Sequence, residues 1–301
     1  MIRESPDELL SIIRSHAPDQ KKPLAAIRED FTAFYAEMQE ELINEGGFVV
    51  EKAAIRDDLS GYWISVRESA MDSVILFLHG GGFSLGSTED HLGLCIRLAR
   101  AAKTRVFSVD YRLSPEHIFP APVEDTIDAY HYLQARGFMP HRILPVGIST
   151  GGNIVLSTLL SLCGKGYTLP PAAVCMSPAT DLRFTGESVE KNSARDWMTP
   201  DRLHAIRTTY LGGHDPENPL ASPVFGTLRG LPRLYIQVGT HELLLSDVGT
   251  FVEKARWAGV PVHVEIWEDM FHCWQMFAGQ IPEGQEAIDH AGQVIRNVQG
   301  R

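Results

Sequence analysis

The feature that most constrains the fold is an alternation, from about residue 72 onward, of short apolar runs with longer amphipathic stretches. Residues 74–78 (Val-Ile-Leu-Phe-Leu) are apolar without a break, which is typical of a strand buried on both faces. Further strands are predicted at 106–109, 143–146, 173–176, 234–238 and 262–266, and helices at 91–102, 123–135, 153–163, 248–257 and 285–298. Strands that alternate with such helices indicate β-α-β units and a mainly parallel sheet covered on both faces.

Three regions lie outside this alternation. The first 45 residues predict helices, because apolar residues recur there at three- and four-residue spacing. Residues 48–55 and 62–66 predict two more strands joined by a turn. Residues 183–222 predict helical pieces and no strand, so we interpret them as an insertion.

Length permits two arrangements of these regions. At about 150 residues per domain, a chain of 301 residues could form two domains, or one domain with an insertion. The order of the predicted elements favours the second. We predict one catalytic α/β domain built from residues 46–182 and 223–301, with a helical cap drawn from residues 1–45 and 183–222.

Composition excludes several classes of protein. The net charge is −11, from 27 Lys and Arg against 38 Asp and Glu, which argues against a nucleic-acid partner. The four cysteines are scattered without a Cys-x-x-Cys pair, so neither a disulfide framework nor a zinc site is indicated. We find neither a signal-peptide core in the first residues nor an apolar run long enough for an integral membrane segment. We therefore expect a cytoplasmic protein.

A candidate nucleophile stands between a predicted strand and a predicted helix. Residues 147–151 read Gly-Ile-Ser-Thr-Gly and match Gly-x-Ser-x-Gly. A serine on such a tight turn exposes its hydroxyl at the carboxyl end of the sheet, beside the free N–H groups of a helix N-terminus. The same residues could instead be a helix cap packed by small glycines. The strand–turn–helix context favours Ser149 as a nucleophile.

A glycine-rich segment, His-Gly-Gly-Gly at residues 79–82, follows the first buried strand. Consecutive glycines let backbone N–H groups approach a ligand closely. The alternatives are a flexible turn or a phosphate loop, but a dinucleotide fingerprint would need glycine at position 85, which is leucine. We predict an oxyanion hole formed by the N–H groups of Gly81, Gly82 and Thr150.

A base and an acid should follow the serine, in the order acid and then histidine. His272 comes shortly after the last predicted strand and is the predicted base. Glu242 and Asp247 both follow the preceding strand and compete for the role of the acid. Glu242 is nearer to the strand end, and Asp247 is explained as an acidic residue in the first turn of the next helix. We predict Glu242.

Metal chemistry is the competing interpretation of this stretch. The pair His241 and Glu242 begins like the zinc motif His-Glu-x-x-His, but position 245 is leucine, so the second histidine is missing. We find no other cluster of His, Cys and carboxylates at ligand spacing. We expect no metal and no cofactor.

Together these motifs resemble the hormone-sensitive-lipase-like (bacterial family IV) esterases of the α/β-hydrolase superfamily, over about residues 70–300. Further matches lie at 110–117 (Asp-Tyr-Arg-Leu-Ser-Pro-Glu-His), 177–178 (Ser-Pro) and 258–260 (Ala-Gly-Val). The resemblance implies the α/β-hydrolase fold, with an eight-stranded, mostly parallel sheet, helices on both faces and a helical cap over an acyl pocket. It also implies a homodimer through the edge strand at 262–267.

The chain departs from the family pattern at four positions. Ile148 and Thr150 occupy the variable positions around the nucleophile, where the family usually has aspartate or threonine and then alanine. Glu242 stands where the family more often has aspartate, and glutamate is an accepted triad acid. Cys273 replaces the small residue that often follows the histidine.

The expected function is hydrolysis of small-molecule esters with short-to-medium acyl chains, by a Ser-His-Glu triad through an acyl-enzyme. Apolar residues of the predicted cap, Phe34, Trp197, Met198 and Tyr210, are expected to bind substrate, although each could instead pack the cap onto the body. Two alternatives stay open. One is an amidase or formamidase with the same triad, and the other is a non-catalytic small-ligand binding protein.

Overall fold

The structure, a computed structural model, describes residues 5–16 and 22–300. The predictions that concern residues 1–4 and 17–21 lie outside the described residues. The strands are β1 (Phe48–Arg56), β2 (Leu59–Val66), β3 (Ala70–Leu78), β4 (Thr104–Asp110), β5 (Ile143–Ile148), β6 (Ala172–Met176), β7 (Arg233–Gly239) and β8 (Val262–Trp267). The helices are α1 (Pro6–Ser15), α2 (Leu24–Glu45), α3 (Leu92–Ala102), α4 (Ala121–Ala135), α5 (Thr150–Gly164), α6 (Ser188–Lys191), α7 (Pro200–Leu211), α8 (Leu245–Trp257) and α9 (Pro282–Gln299).

All eight strands belong to one sheet in the order β1-β2-β4-β3-β5-β6-β7-β8. The β2 strand is antiparallel to both β1 and β4, and every other neighbouring pair is parallel. The predicted fold class, an eight-stranded and mostly parallel sheet, is therefore confirmed. Strand β8 lies at one edge, as expected, while pairing of that edge with a second copy stays a prediction.

The unbroken apolar run in β3 is explained by burial on both faces. Val74, Leu76 and Leu78 belong to a core that also contains residues of α4, α5 and α8. Ile75 and Phe77 point the other way, into a core with residues of α3 and α9. Side chains alternate between the faces of a strand, so a strand covered on both sides has no polar face to show.

The turn after β5 is shorter than predicted. The sequence pattern ends this strand at residue 146 and starts the next helix at 153, but β5 continues to Ile148 and α5 begins at Thr150. Ser149 alone makes the turn. The pattern missed this because the glycines around the serine carry no apolar periodicity.

The N-terminal helices pack beside the loop that follows β8. Leu9, Leu10 and Ile13 of α1 are buried in one cluster with Phe271 and Trp274. The long connection between β6 and β7 contains α6 and α7 and no strand, as predicted for the insertion. The exact boundaries of the cap stay a prediction. Within residues 5–16 and 22–300, no helix is long and apolar enough to cross a membrane.

Candidate active site

Ser149 stands at the sharp turn between β5 and α5. Its φ is +56° and its ψ is −121°, a conformation that a residue with a side chain rarely adopts. A hydrogen bond from its N–H to the Met176 carbonyl, at 2.8 Å, holds the turn against β6. Gly151 permits the close approach of α5, because a Cβ there would lie 2.0 Å from the Leu78 carbonyl oxygen. The strained turn therefore depends on the local backbone rather than on the serine side chain.

Three predicted side chains meet at the carboxyl ends of β5, β7 and β8. The Ser149 Oγ lies 2.9 Å from His272 Nε2, and His272 Nδ1 lies 2.9 Å from Glu242 Oε2. All three side chains are buried. The arrangement lets the imidazole accept the serine proton on one nitrogen while the carboxylate fixes the other nitrogen as a donor.

The Glu242 carboxylate is held on its second oxygen as well. Oε1 accepts hydrogen bonds from the Ser177 hydroxyl at 2.8 Å and from the Gly239 N–H at 2.7 Å. Ser177 also accepts a hydrogen bond from the Cys273 N–H at 3.2 Å, so it links the acid to the histidine loop. The sequence showed the Ser-Pro pair only as a family match and gave no reason for this role.

Asp247, the competing acid, has no contact with His272. It lies in the first turn of α8, as the alternative explanation supposed. Burial is the main reason that its pKa rises to about 7, and Asp181 adds to the rise. The structure brings Glu242, not Asp247, to the histidine.

The protonation of the histidine depends on its buried surroundings. Burial by itself lowers the pKa of His272, whereas Cys273 and the Glu242 carboxylate raise it, and the net direction is well above 6.5. Burial raises the pKa of the Cys273 thiol more than His272 lowers it. Because that thiol is uncharged near neutral pH, we attribute the raised pKa of His272 to the Glu242 carboxylate.

The glycine-rich loop presents backbone N–H groups beside the serine. Gly81 and Gly82 have φ of +119° and +66°, and a Cβ on Gly81 would lie 2.2 Å from the Leu85 carbonyl oxygen. Among the residues that the structure describes, no acceptor is found for the N–H of Gly81 or Gly82. Thr150 is the first residue of α5, so its N–H has no partner within the helix.

A buried histidine supports this loop. His91 Nε2 accepts a hydrogen bond from the Gly80 N–H at 3.2 Å, and its Nδ1 lies 3.1 Å from the Ser87 carbonyl oxygen. Burial lowers the pKa of His91 to about 3, with His79 adding to the effect. The imidazole is therefore neutral, with its proton on Nδ1, and it fixes the start of the glycine-rich loop.

Asp196 is a buried residue of the insertion that sequence reasoning missed. One carboxylate oxygen accepts a hydrogen bond from the His272 N–H at 3.1 Å, and the other accepts one from the Leu243 N–H at 3.0 Å. The carboxylate thus joins the loop of the base to the loop of the acid. Burial raises its pKa, while His272 and the backbone donors oppose that rise. No sequence motif or residue spacing identifies an acidic residue whose contacts are with backbone N–H groups.

Two neighbours of Asp196 hold the same loops. The indole N–H of Trp197 donates to the His272 carbonyl at 2.6 Å. The Asn192 amide donates to the carbonyls of Thr240 and Glu242 at 3.0 and 2.8 Å. The insertion therefore contacts both His272 and Glu242 through their backbones.

A cavity of about 300 Å³ opens beside Ser149. Its wall is mostly apolar and is formed by the glycine-rich loop, the loop that contains His272, α2, α7 and the segment before α7. From the two helices and that segment, the lining residues are Leu24, Ile27, Phe31, Tyr35, Trp197, Met198, Arg202, Ala205, Ile206 and Thr209. Two of the predicted substrate-binding residues, Trp197 and Met198, lie on this wall.

Phe34 and Tyr210 lie outside the cavity, which corrects the expectation that they line it. Phe34 stacks on His16 of the α1 C-terminus with ring centres 5.2 Å apart, because the cavity side of α2 is the face with Phe31 and Tyr35. Tyr210 is fully buried and stacks on Phe83 at 3.6 Å. Both belong to the packing of the cap, the alternative stated for each.

The described residues, 5–16 and 22–300, contain no group of three or more His, Cys, Asp and Glu side chains placed to hold a metal ion. The polar groups around Ser149 are instead a hydrogen-bonded chain and free backbone donors. Such an arrangement can deprotonate a hydroxyl and stabilise the negative charge that develops on an attacked carbonyl oxygen.

Comparison with known proteins gives the same family as the site. Residues 75–276 match the family described as the alpha/beta hydrolase fold. The chain is similar to an acetyl-hydrolase of Streptomyces hygroscopicus, with 42% identity over 238 residues that cover 78% of this chain and 79% of the relative. It is also similar to an esterase of Acinetobacter venetianus, with 36% identity over 73% of this chain and 74% of that protein.

Solved structures agree over nearly the whole length. A crystal structure of an esterase from the bacterial hormone-sensitive lipase family has a TM-score of 0.92 and 39% identity, and covers 98% of this chain and 99% of that one. A crystal structure of EstE5 soaked with p-nitrophenyl butyrate has a TM-score of 0.91 and 33% identity at the same coverage.

Proposed function

Since the chain belongs to the bacterial hormone-sensitive-lipase-like carboxylesterases of the α/β-hydrolase superfamily, we propose that it hydrolyses esters through an acyl-enzyme on Ser149. His272 is the proposed base and Glu242 the acid that orients it. The observation that carries the proposal is the hydrogen-bonded chain from Ser149 Oγ through His272 to Glu242, with both links at 2.9 Å, at the wall of an apolar cavity.

In the first half of the proposed reaction, the ester carbonyl lies in the cavity against the glycine-rich loop. Ser149 Oγ attacks the carbonyl carbon while His272 Nε2 takes the hydroxyl proton. The N–H groups of Gly81, Gly82 and Thr150 bind the oxyanion. The imidazolium, stabilised by Glu242, then gives its proton to the leaving alcohol as the ester C–O bond breaks.

In the second half, water attacks the acyl group on Ser149. His272 takes a proton from the water, and the same three N–H groups bind the second oxyanion. The imidazolium returns the proton to Ser149 Oγ as the carboxylic acid product leaves. All proton transfers are supplied by the side chains present, and the mechanism uses no cofactor.

Ester and amide bonds can both be cleaved by this chemistry, so turnover must distinguish them. The test compares kcat/KM for an aryl ester with that for the matching anilide, using the purified wild-type protein. The proposal expects the ester to be cleaved far faster than the anilide. Equal turnover, or preference for the anilide, would replace ester hydrolysis by an amidase function.

We expect a preference for short-to-medium acyl chains. The cavity of about 300 Å³ is at the small end of ligand pockets and is lined on one side by the proposed cap helices α2 and α7. In a series of p-nitrophenyl esters, kcat/KM should be highest for acetyl to hexanoyl and fall clearly for decanoyl and longer chains. A value that keeps rising to palmitoyl would contradict this substrate range.

The pH dependence should follow the raised pKa of His272. Only the neutral imidazole accepts the serine proton, so kcat/KM should rise with pH through a midpoint above 6.5. Glu242→Gln removes the carboxylate that raises this pKa, so the residual activity should titrate at lower pH than the wild type. The check is kcat/KM against pH for a neutral ester. An unmoved midpoint in Glu242→Gln would contradict the role given to Glu242.

Replacing Asp196 should lower kcat more than it changes KM. Asp196→Asn turns one acceptor into an N–H₂ group that faces the N–H of His272 or of Leu243, so at least one of the two loops must shift. Small displacements of catalytic groups can cost up to about 10²-fold in rate, and we expect a loss of about tenfold or more in kcat. Asp201→Asn, an exposed change at the start of α7, is the matched control. A pure KM effect would show that Asp196 does not position the triad.

A further inference from the structure

Arg202, in the first turn of α7, is a half-buried cation on the cavity wall. Its guanidinium carbon lies 5.2 Å from the centre of the Trp197 ring, and both residues line the cavity together with Tyr35. The Nη1 atom is shielded from solvent and donates to no acceptor in the described part of the chain. Arg202 takes part in none of the ion pairs found among the described residues, 5–16 and 22–300.

Several other arginines of the described residues are paired with carboxylates. Arg28 binds the Glu116 carboxylate with two hydrogen bonds of 2.8 Å. Arg183 likewise binds Asp181 at 2.7 Å. A guanidinium that is partly removed from water without such a partner is unfavourable, because nothing replaces the hydration that it loses. Among the described residues, Arg105 also has a guanidinium nitrogen without a partner, but it donates to the Met71 carbonyl and lies away from the cavity, whereas Arg202 lines the cavity.

Asp196 does not supply the missing partner. Burial lowers the pKa of the Arg202 guanidinium most strongly, and Tyr35 and then Asp196 oppose that change through space only. The Asp196 oxygens already accept hydrogen bonds from the backbone N–H groups of Trp197, Leu243 and His272. Arg202 lines the cavity and none of the hydrogen bonds described above uses its guanidinium, so a ligand that enters the cavity can supply the acceptor.

We propose that Arg202 binds a carboxylate on the substrate, so that this enzyme prefers esters that carry a carboxylate to neutral esters of the same shape. The inference rests on the proposed ester hydrolysis at Ser149 and specifies its substrate class. The planar guanidinium can donate two parallel hydrogen bonds to a carboxylate. The protein as a whole has a net charge of −11 and does not attract anions at long range, so the preference must arise in the cavity.

The carboxylate could belong to the acyl or to the alcohol part of the ester, and two pairs of substrates distinguish these. The acyl pair is monoethyl glutarate and the neutral ethyl glutaramate. The alcohol pair is the acetate ester of γ-hydroxybutyrate and that of γ-hydroxybutyramide. The two members of each pair differ only at one group, which is a carboxylate in one and an amide of nearly the same size in the other. Acid release is followed by titration at constant pH.

In at least one pair, the wild type should have a kcat/KM for the carboxylate about tenfold to 100-fold higher than for the amide, the range expected for hydrogen bonds to a charged partner. Arg202→Met should reduce that ratio to about one or below, and Arg202→Lys should keep part of it, because lysine retains the charge but not the paired geometry. Arg207→Met removes a positive charge from α7 outside the cavity and should leave the ratio unchanged.

If the wild-type kcat/KM for the carboxylate ester were no higher than that for the amide ester in both pairs, the inference would be overturned. An unchanged ratio in Arg202→Met would also overturn it, even if its activity fell, because a purely structural role lowers both rates together. Failure of ester hydrolysis itself gives a different result. In that case the wild type would cleave neither the charged nor the neutral esters, or would cleave them no faster than Ser149→Ala does. Both proposals would then be wrong.

Discussion

Ser149→Ala is expected to abolish ester hydrolysis, with kcat lower by about 10⁴ to 10⁶-fold. The reason is that alanine has no oxygen to form the acyl-enzyme, while the histidine at 2.9 Å has no proton to accept. Any remaining rate would come from the oxyanion hole acting on bound substrate and water. The turn itself should survive, because its strained backbone is held by the Met176 carbonyl and by Gly151 rather than by the hydroxyl.

The measurement is steady-state hydrolysis of p-nitrophenyl butyrate by wild type and variant at equal concentration. Ser161→Ala, on the same helix α5 but away from the cavity, is the matched control and should retain wild-type turnover. Matching thermal unfolding curves for the two variants would show that the change is chemical. Turnover by Ser149→Ala at the wild-type rate would remove Ser149 from the mechanism.

Glu242→Ala is expected to have the second largest effect, a loss of about 10³ to 10⁴-fold in kcat. Without the carboxylate, no negative charge stabilises the imidazolium, and nothing on Nδ1 keeps the other nitrogen free to accept the serine proton. Ser177 and the Gly239 N–H would also lose their shared acceptor, so the variant should unfold at a lower temperature than the wild type.

Asp247→Ala is the matched comparison, because it removes the other carboxylate that follows β7. Asp247 is buried in α8, its pKa is raised mainly by burial, and one of its oxygens has no partner in the described residues. We expect the kcat/KM of Asp247→Ala to stay within a few-fold of the wild-type value. If Asp247→Ala lost more activity than Glu242→Ala, the acid of the triad would have to be moved to Asp247.

Much of the fold could be predicted because burial leaves a strong signal in a parallel sheet. The five apolar residues at 74–78 have no polar face, and the structure shows why: successive side chains enter two different cores. The turn at Ser149 was recognised from its motif, but its length was not. Glycine contributes nothing to an apolar pattern, so the ends of β5 and α5 could not be read there.

The meeting of Ser149, Glu242 and His272 could be predicted because each follows a strand at the same edge of the sheet. The wall of the cavity could not. Phe34 and Phe31 are both apolar residues of α2, and only the packing of that helix decides that Phe31 faces the cavity. Asp196 and Arg202 escaped for a different reason. The partners of Asp196 are 47 and 76 residues further along the chain, and Arg202 is marked only by the carboxylate partner that it lacks among the described residues.

The most direct test of the central claim is covalent labelling of the nucleophile. The wild-type protein is incubated with an organophosphate or with phenylmethylsulfonyl fluoride, digested, and mapped by mass spectrometry, with His272→Ala as the comparison. The account predicts a single adduct on the peptide that contains Ser149, loss of esterase activity in proportion to labelling, and little labelling of His272→Ala. An unlabelled Ser149 in a protein whose esterase activity has been lost to the reagent would contradict it.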